Sequence, residues 1–188
     1  MADAFISFQG EGPMIGHRAA FVRISGHRGS DIAAWLECQR VDLLVLTGDE
    51  PLRQQQALVE LARSVGTSVR LLVETQGTIT PAREVAELVD VFVVNVKLAH
   101  SGVARTARIV PEAIAALAVT GKAHWKFVAR TISDLGEIAD LVEEFALRPV
   151  WVVPYGTTPA AVLDGQRRLA DAVLGRGWNL STRLHILL

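Results

Sequence analysis

Five short polar segments of the sequence hold residues that could bind a ligand, and each follows a run of apolar residues. They contain glycine, threonine, acidic and amide residues, and they span residues 47–51, 74–78, 95–102, 130–131 and 154–158. Glycine lets a backbone approach a ligand closely, and the free amides at a helix N-terminus bind anions. If the fold brings the segments together, they form a binding site for a small polar molecule.

Short β-rich runs alternate with helical patterns along the chain, which is typical of a parallel α/β fold. The predicted strands are 19–24, 42–46, 69–74, 91–94, 124–128 and 150–153, and the last residues, RLHILL, are predicted as a further strand. The predicted helices are 52–65, 81–88, 111–119, 134–145 and 159–174. Thr80 and Ser133 are the predicted N-caps of the second and fourth, and Thr158 directly precedes the last.

The number of strand–helix units decides between a closed and an open barrel. About six units fall short of the eight of a closed barrel. No linker or composition shift divides the chain, so we expect one domain over residues 1–188, built as an open partial (β/α)6 barrel with a parallel sheet. In such a fold the five polar segments lie on one rim, at the carboxyl ends of the strands.

The composition excludes several classes of protein. The 188 residues include 19 basic and 20 acidic ones without blocks of one sign, so neither a nucleic-acid groove nor a membrane-binding surface is expected. The apolar runs are too short to span a bilayer and no signal-peptide pattern opens the chain, so we expect a cytoplasmic protein. The single cysteine, Cys38, rules out an internal disulfide and a zinc ribbon.

Seven motifs follow one another along the chain: SFQGEGPMIGHRAAFVRISG, LTGDEP, ETQGT, VKLAHSG, KFV, VWVVPYGT and NLSTRLHIL. In order and context they resemble those of the 7-carboxy-7-deazaguanine synthases, a radical S-adenosylmethionine family of queuosine and deazapurine biosynthesis. The resemblance covers nearly the whole chain. It implies a radical-S-adenosylmethionine-like fold, a ligand of the pterin or 7-deazapurine type, and a homodimer.

The resemblance also implies which residues bind ligands. On the side of the pterin or 7-deazapurine, the matching residues are Gln9, Gly10, Glu11, Arg23, Thr75 and His185. On the side of S-adenosylmethionine, the matching residues are Gly48, Asp49, Glu50, Gln76, Gly77, Asn95, Lys97 and Tyr155.

Three of these side chains have chemistry that suits such a ligand. Glu11 can accept hydrogen bonds from an N–H and amino edge, and Arg23 can hold a carboxylate. His185 can donate to a ring carbonyl or to that carboxylate. Structural roles stay open as alternatives: Arg23 can pair with Glu11 or Glu74, and His185 can be a core histidine.

Two lysines at strand ends, Lys97 and Lys126, are further candidates for the barrel mouth. Either can face a ligand there. The alternative, which we favour, is that they form salt bridges with Glu50 or Glu74.

The motif that carries the family's radical chemistry is absent. In the family, three cysteines in a CxxxCxxC motif after the FVR strand hold a [4Fe–4S] cluster. Here the corresponding residues are 26–31, with His27 at the first cysteine position. One histidine and Cys38, which comes too late in the run, cannot replace three thiolates. The threonine that the resemblance would assign to magnesium is also missing, so we expect neither a cluster nor a magnesium site.

A new metal site formed by His27, Asp31 and Cys38 is disfavoured, because their spacing matches no established ligand pattern. The contacts that the resemblance implies for S-adenosylmethionine are also altered. Asp49 replaces a glycine of GGEP, Asn95 begins the segment that reads serine–proline in the family, and Tyr155 replaces a glutamate. Binding of S-adenosylmethionine is therefore possible but not favoured.

Four hypotheses remain, and whether the protein is an enzyme stays open. The favoured one is a cluster-less homologue that keeps a pterin or 7-deazapurine pocket without the radical reaction. The second is an enzyme that uses S-adenosylmethionine in polar chemistry. The third is a catalytically inactive paralogue that dimerises, with Trp151 and Tyr155 at the interface. The fourth is a shortened form that persists only because its core folds.

Overall fold

The structure, a computed structural model, describes residues 4–24 and 29–188. The strands of this part of the chain are β1 Ala4–Phe8, β2 Arg18–Arg23, β3 Leu43–Thr47, β4 Arg70–Thr75, β5 Val91–Asn95, β6 Ala123–Ala129, β7 Val150–Pro154 and β8 Asn179–Leu180. The α-helices are α1 Gly29–Gln39, α2 Gln55–Val65, α3 Arg83–Leu88, α4 Arg105–Arg108, α5 Pro111–Val119, α6 Asp134–Phe145, α7 Pro159–Leu174 and α8 Leu184–Leu187. Turns of 3₁₀ helix cover Gly12–Met14, Pro51–Gln54 and Ala99–Ser101.

The strands form one sheet in the order of the sequence, and β2 to β8 are parallel. β1 is antiparallel to β2 and forms a hairpin with it. The two outer strands, β1 and β8, do not pair with each other, so the barrel is open. The predicted open partial barrel with a mostly parallel sheet is confirmed. No helix in the described ranges is both long and apolar enough to cross a membrane.

The predicted elements are present, and α5, α6 and α7 have the predicted bounds. The six predicted strands correspond to β2 to β7, and β1 and β8, which were not predicted, bring the number to eight among the described residues. β1 carries its apolar residues on an edge, and β8 has only two residues, so neither forms the long apolar run of a buried strand. The segment RLHILL is also not a strand, because backbone bonds such as Leu188 N–H to the Leu184 carbonyl close a helical turn, α8.

Neither of the two predicted N-caps is confirmed, whereas Thr158 does cap its helix. α3 begins at Arg83, beyond Thr80, and no side chain caps it. The Thr158 hydroxyl accepts a hydrogen bond from the Ala161 N–H at the start of α7. Ser133 makes no such bond at the start of α6. Instead, the carboxylate of Asp134 accepts from the N–H groups of Arg130 and Thr131, in the loop before the helix.

Two apolar cores lie on the two faces of the sheet. The larger one packs the outward-facing residues of the strands against the helices. The smaller one fills the inside of the curved sheet and consists of Met14, Ala19, Phe21, Leu43, Val45, Leu72 and Val93. Met14 comes from the β1–β2 loop, so this loop closes the lower part of the barrel.

The inner face changes from apolar to polar along each strand. Residues two apart on a strand share a face, so Arg23, Thr47 and Glu74 follow the inner-core residues Phe21, Val45 and Leu72 on the inner face. A polar ring therefore lies above an apolar floor at the carboxyl ends of the strands. This is the rim on which the sequence predicted a ligand site.

Candidate functional site

Glu11 lies at the centre of a charged cluster inside the partial barrel. Its Oε2 accepts a hydrogen bond from Nζ of Lys126 at 2.8 Å, and its Oε1 accepts from Nε of Arg183 at 2.8 Å. Nε2 of His185 lies 3.9 Å from Oε1 of Glu11. Glu11 and Lys126 are buried. The cluster therefore connects the β1–β2 loop, β6 and the C-terminal segment.

The β1–β2 loop, which carries this carboxylate, is fastened to the C-terminal segment by backbone bonds. The N–H of Leu184 donates to the carbonyl of Gly10 at 2.9 Å, and the N–H of Gly12 donates to Oγ of Ser181 at 2.9 Å. A Cβ atom added to Gly10 would overlap the ring of His185. The first glycine of QGEG is therefore required by the position of the histidine ring.

The surroundings of Glu11 have opposing effects on its pKa. Burial raises the pKa, whereas the charges of Lys126 and Arg183 and their hydrogen bonds lower it, and the lowering prevails. Glu11 is therefore ionised at neutral pH. Because a carboxylate offers about four acceptor positions, it can still accept hydrogen bonds from a ligand.

Glu74 forms a second acidic group beside the cluster. Its Oε1 accepts from Nε2 of Gln9 at 3.1 Å, and its Oε2 accepts from Oγ1 of Thr47 at 2.8 Å. Oε1 of Gln9 in turn accepts from the N–H of Gly10 at 2.7 Å. Gln9 therefore holds both Glu74 and the loop in place.

The two lysines of the mouth do not form the salt bridges favoured from the sequence. Lys126 binds Glu11 instead, because the β1–β2 loop reaches into the barrel. The carboxylates of Glu50 and Glu74 accept from amide and hydroxyl groups. Lys97 makes no side-chain hydrogen bond or ion pair within the described part of the chain.

A cavity of about 320 Å³ opens beside the charged cluster. The rings of Phe5 and Phe21 stack on one of its sides with centroids 5.2 Å apart and planes 8° apart. Phe5 is 45% and Phe8 51% exposed, so their rings present apolar surface to a ligand. The cavity thus combines aromatic surface with the charged groups Glu11, Glu74, Lys126 and His185.

Four of the six residues predicted to bind a pterin or 7-deazapurine line this smaller cavity: Gln9, Gly10, Glu11 and His185. Arg23 lies elsewhere, in a larger cavity of about 730 Å³ that Thr47, Gly48, Asp49, Glu50 and Arg53 also line. Thr47 bonds to Glu74, which lines the smaller cavity, so the two cavities are neighbours. The sixth residue, Thr75, lines neither cavity: it is buried, and its hydroxyl donates to the carboxylate of Glu50.

Glu50 connects the loops after β3 and β4. Its Oε1 accepts from Oγ1 of Thr75 at 2.8 Å and from the N–H of Leu52 at 3.1 Å, and its Oε2 accepts from the N–H of Gln76 at 2.8 Å. Nε2 of Gln76 donates to the carbonyl of Asp49 at 2.6 Å. These bonds fix the shape of the larger cavity.

The other residues predicted near S-adenosylmethionine lie along the same rim. Gly77 has φ +75°, and a Cβ there would lie 2.7 Å from Cγ1 of Val94, so this position requires glycine. Asn95 ends β5, and its Oδ1 is buried without a hydrogen-bond partner in the described chain. Burial and the positive charge of Lys126 lower the pKa of Lys97, which the charge of Glu11 opposes.

The two aromatic residues expected at an interface occupy different positions. The ring of Tyr155 is 45% exposed, and the guanidinium of Arg130 lies 4.6 Å from its centre. Trp151 is not an outward rim residue: it pairs with Lys126 in register, on the inner face, and its Nε1 donates to Nδ1 of His124 at 3.2 Å. The proposed place of Trp151 and Tyr155 at an interface stays a prediction.

His124 is expected to make the protein less stable at acidic pH. Burial lowers its folded pKa, so the unfolded chain binds more protons below the ordinary value of about 6.5. Its contribution to the free energy of unfolding is present above that pH and is lost as the pH falls towards the folded pKa. Urea unfolding between pH 7.5 and 5 measures this: His124→Gln should lose less stability than the parent chain. Trp151→Phe, which keeps the partly buried imidazole, should retain the parent slope, and an unchanged slope in His124→Gln would contradict the assignment.

Comparisons with known proteins identify the lineage. No family model matches the chain. Three curated proteins named 7-carboxy-7-deazaguanine synthase do match over nearly all of it. The protein of Pyrobaculum aerophilum is 30% identical over 210 residues, covering 98% of this chain and 92% of that relative. The proteins of Halobacterium salinarum and Hyperthermus butylicus are 30% and 29% identical, covering 99% and 100% of this chain and 88% and 91% of those relatives. The chain belongs to the 7-carboxy-7-deazaguanine synthase family.

Solved structures show the fold of this family member. Streptococcus suis SuiB superposes with a TM-score of 0.60 at 14% identity, covering 85% of this chain and 44% of SuiB. The chain thus spans less than half the length of SuiB. Other SuiB structures, also with a TM-score of 0.60, hold S-adenosylmethionine or the precursor peptide SuiA. At this identity the likeness concerns the fold alone.

The residues of this 7-carboxy-7-deazaguanine synthase homologue do not fit a [4Fe–4S] cluster. Such a cluster needs at least three thiolates in this family's motif, whereas the chain has one cysteine, Cys38, which is exposed on α1. His27 and the side chain of Asp31 lie outside the described residues. Within the described ranges, no three His, Cys, Asp or Glu side chains are grouped so that they could hold a metal ion.

The sequence did not single out Arg183, the second cation bound to Glu11. Arg183 also donates from Nη1 to the carbonyl of Gly156 at 2.7 Å. It stands two residues before His185 in the RLH segment that the resemblance had already selected. This segment was the signal that could have identified Arg183, since a buried carboxylate such as that of Glu11 requires a cationic partner and the segment supplies one.

Proposed function

We propose that this protein binds a compound of the pterin or 7-deazapurine type in the smaller cavity and carries out no radical reaction. The observation that supports the proposal is the joint position of Gln9, Gly10, Glu11 and His185 around one cavity. Its volume of about 320 Å³ lies within the range of small-molecule sites. As the family resemblance implies, we also propose that the protein acts in the cytoplasm as a homodimer.

The chemistry of the cavity suits a flat, nitrogen-rich ring. Phe5 and Phe8 offer exposed ring surface for contact with a heteroaromatic face. The ionised carboxylate of Glu11 can accept from ring N–H and amino groups, which point in one direction along the edge of a pterin. His185 is close enough to the same carboxylate to contact the ligand's polar edge.

The absence of radical chemistry rests on the cysteine count rather than on the cavity. The family's reaction needs a cluster that binds and reductively cleaves S-adenosylmethionine, and one cysteine cannot supply its ligands. The residues around the smaller cavity can bind and orient a ring and exclude water from it. A carrier, a sensor or an enzyme of polar chemistry is compatible with these properties.

Calorimetric titration of the metal-free protein with 6-carboxytetrahydropterin tests the proposal. We expect a dissociation constant in the micromolar range, on the order of −8 kcal/mol. His185→Ala should weaken binding by about tenfold, which corresponds to about 1.4 kcal/mol. Arg53→Ala, in the larger cavity, is the matched control and should leave the affinity unchanged. No heat with the parent protein, or equal losses in both variants, would refute the proposal.

A second candidate function is polar chemistry with S-adenosylmethionine, and the larger cavity favours it. This cavity of about 730 Å³ is lined by Gly48, Asp49 and Glu50 of the GDEP segment. Titration with S-adenosylmethionine separates the candidates, since binding of this compound alone would support the second one. If neither compound gives heat, the result would instead support the catalytically inactive paralogue that dimerises. Sedimentation analysis would then measure its self-association.

A further inference from the structure

The chain contains only three lysines, and the structure gives two of them a structural role. Lys122 donates from Nζ to the carbonyls of Ala86, Glu87 and Val89, at 2.8, 3.0 and 2.7 Å. Lys126 is buried in its ion pair with Glu11. Lys97 differs from both, because its amine has no hydrogen-bond or ion-pair partner in the described ranges.

The backbone holds Lys97 firmly at the mouth of the barrel. Its carbonyl accepts from Nη1 of Arg108 at 2.8 Å, and Arg108 is itself buried in an ion pair with Glu137 at 2.7 Å. The preceding N–H, that of Val96, donates to the carbonyl of Lys126 at 3.1 Å. Lys97 lies two residues beyond the end of β5, next to β6.

The surroundings of Lys97 lower the pKa of its amine. Its side chain is partly buried, and burial, followed by the ammonium of Lys126, lowers this pKa, whereas the charge of Glu11 raises it. Arg108, which binds the carbonyl of Lys97, is itself neutralised by its ion pair with Glu137. A lysine that is desolvated and next to another cation is the form in which this residue acts as a nucleophile.

We propose that Nζ of Lys97, held at the barrel mouth beside the Lys126–Glu11 ion pair, forms an imine with a small carbonyl compound, an aldehyde or a 2-oxo acid. In this step the amine nitrogen bonds to the carbonyl carbon and its proton passes to the carbonyl oxygen. That oxygen then leaves as water when the carbon–nitrogen double bond forms, so neither an oxidant nor a reductant is required. The inference goes beyond the proposed function, because non-covalent binding of a pterin needs no nucleophile.

Reductive trapping tests the inference without any pterin, so its outcome does not depend on the proposed function. The folded protein is incubated at pH 7 with cyanoborohydride and either glyoxylate, a 2-oxo acid, or propionaldehyde, and modified peptides are quantified by mass spectrometry. We expect Lys97 to be modified about tenfold faster than Lys122 or Lys126, because the amines of those two lysines are held in hydrogen bonds to described residues whereas the amine of Lys97 is not. The faster probe identifies the class of carbonyl compound.

Two variants and a pH series make the test decisive. Lys97→Arg should abolish the fast modification, and Lys126→Met should slow it at Lys97, because the neighbouring positive charge is gone. Circular dichroism checks that both variants are folded. In the parent protein, the modification of Lys97 should reach half its maximal rate at a lower pH than that of Nα-acetyl-lysine in the same tube. Equal rates at all three lysines, or a midpoint no lower than that of the reference amine, would overturn the inference.

Discussion

Replacing Glu11 by glutamine is expected to lower the free energy of unfolding by about 3 kcal/mol at pH 7, the range seen when one partner of a buried ion pair is removed. The carboxylate neutralises two cations, Lys126 and Arg183, and the side chain of Lys126 is only 7% exposed. Glutamine keeps the shape of the side chain but leaves both positive charges without a counter-charge. The cost therefore arises from the unpaired cations and not from lost packing.

Urea unfolding of the parent chain and of Glu11→Gln measures this effect. The matched control is Asp164→Asn, whose partner Arg168 is 60% exposed, and it should cost less than about 0.5 kcal/mol. In the double variant Glu11→Gln with Lys126→Met, the lysine substitution should cost less than it does in the parent chain. Independent, additive effects at the two positions would contradict the ion-pair assignment.

The stability contributed by Glu11 should also depend on pH. Its folded pKa is lowered, because the charges and hydrogen bonds of Lys126 and Arg183 outweigh the effect of burial. The unfolded chain therefore binds more protons near the ordinary pKa of about 4.3. The contribution of Glu11 to the free energy of unfolding is complete above that pH and is lost as the pH falls through the folded pKa. In Glu11→Gln the free energy of unfolding should therefore fall less over this acidic range than it does in the parent chain.

Most of the fold could be predicted because buried parallel strands and amphipathic helices leave strong patterns in the sequence. β6 and α7 are examples: one is a run of seven mostly apolar residues, and the other begins after a Thr158 cap. β1 escaped prediction because an edge strand that is exposed on one side has no continuous apolar run. β8 escaped because its two residues are defined only by their pairing with β7.

Part of the site could be predicted from the family motifs, and the rest could not. The motif residues Gln9, Gly10, Glu11 and His185 could be grouped from the resemblance, and they line one cavity. The cations that bind Glu11 could not be assigned, since Lys126 is 115 residues away and Arg183 is 172 residues away in sequence. Their contact depends on how the β1–β2 loop enters the barrel, which no local pattern encodes.

Arg108 is expected to be the second critical ion-pair residue, although it touches neither cavity. Arg108→Met should lower the free energy of unfolding by about 3 kcal/mol, because it leaves Glu137 without its buried partner. It also removes the hydrogen bonds to the carbonyls of Lys97 and Val103. Methionine fills similar volume, so the loss reflects charge and hydrogen bonding rather than a cavity.

A neighbouring arginine provides the control for this prediction. Arg105 pairs with Glu144 at 2.5 Å, but its side chain is 56% exposed, so Arg105→Met should cost less than about 0.5 kcal/mol in the same urea unfolding series. Equal costs for both variants would show that burial does not distinguish the two pairs. Because Arg108 fixes the backbone of Lys97, its loss should also reduce the selective modification of that lysine in the protein that remains folded. A stable Arg108→Met variant with unchanged selectivity would mean that β5 and β6 alone position the amine.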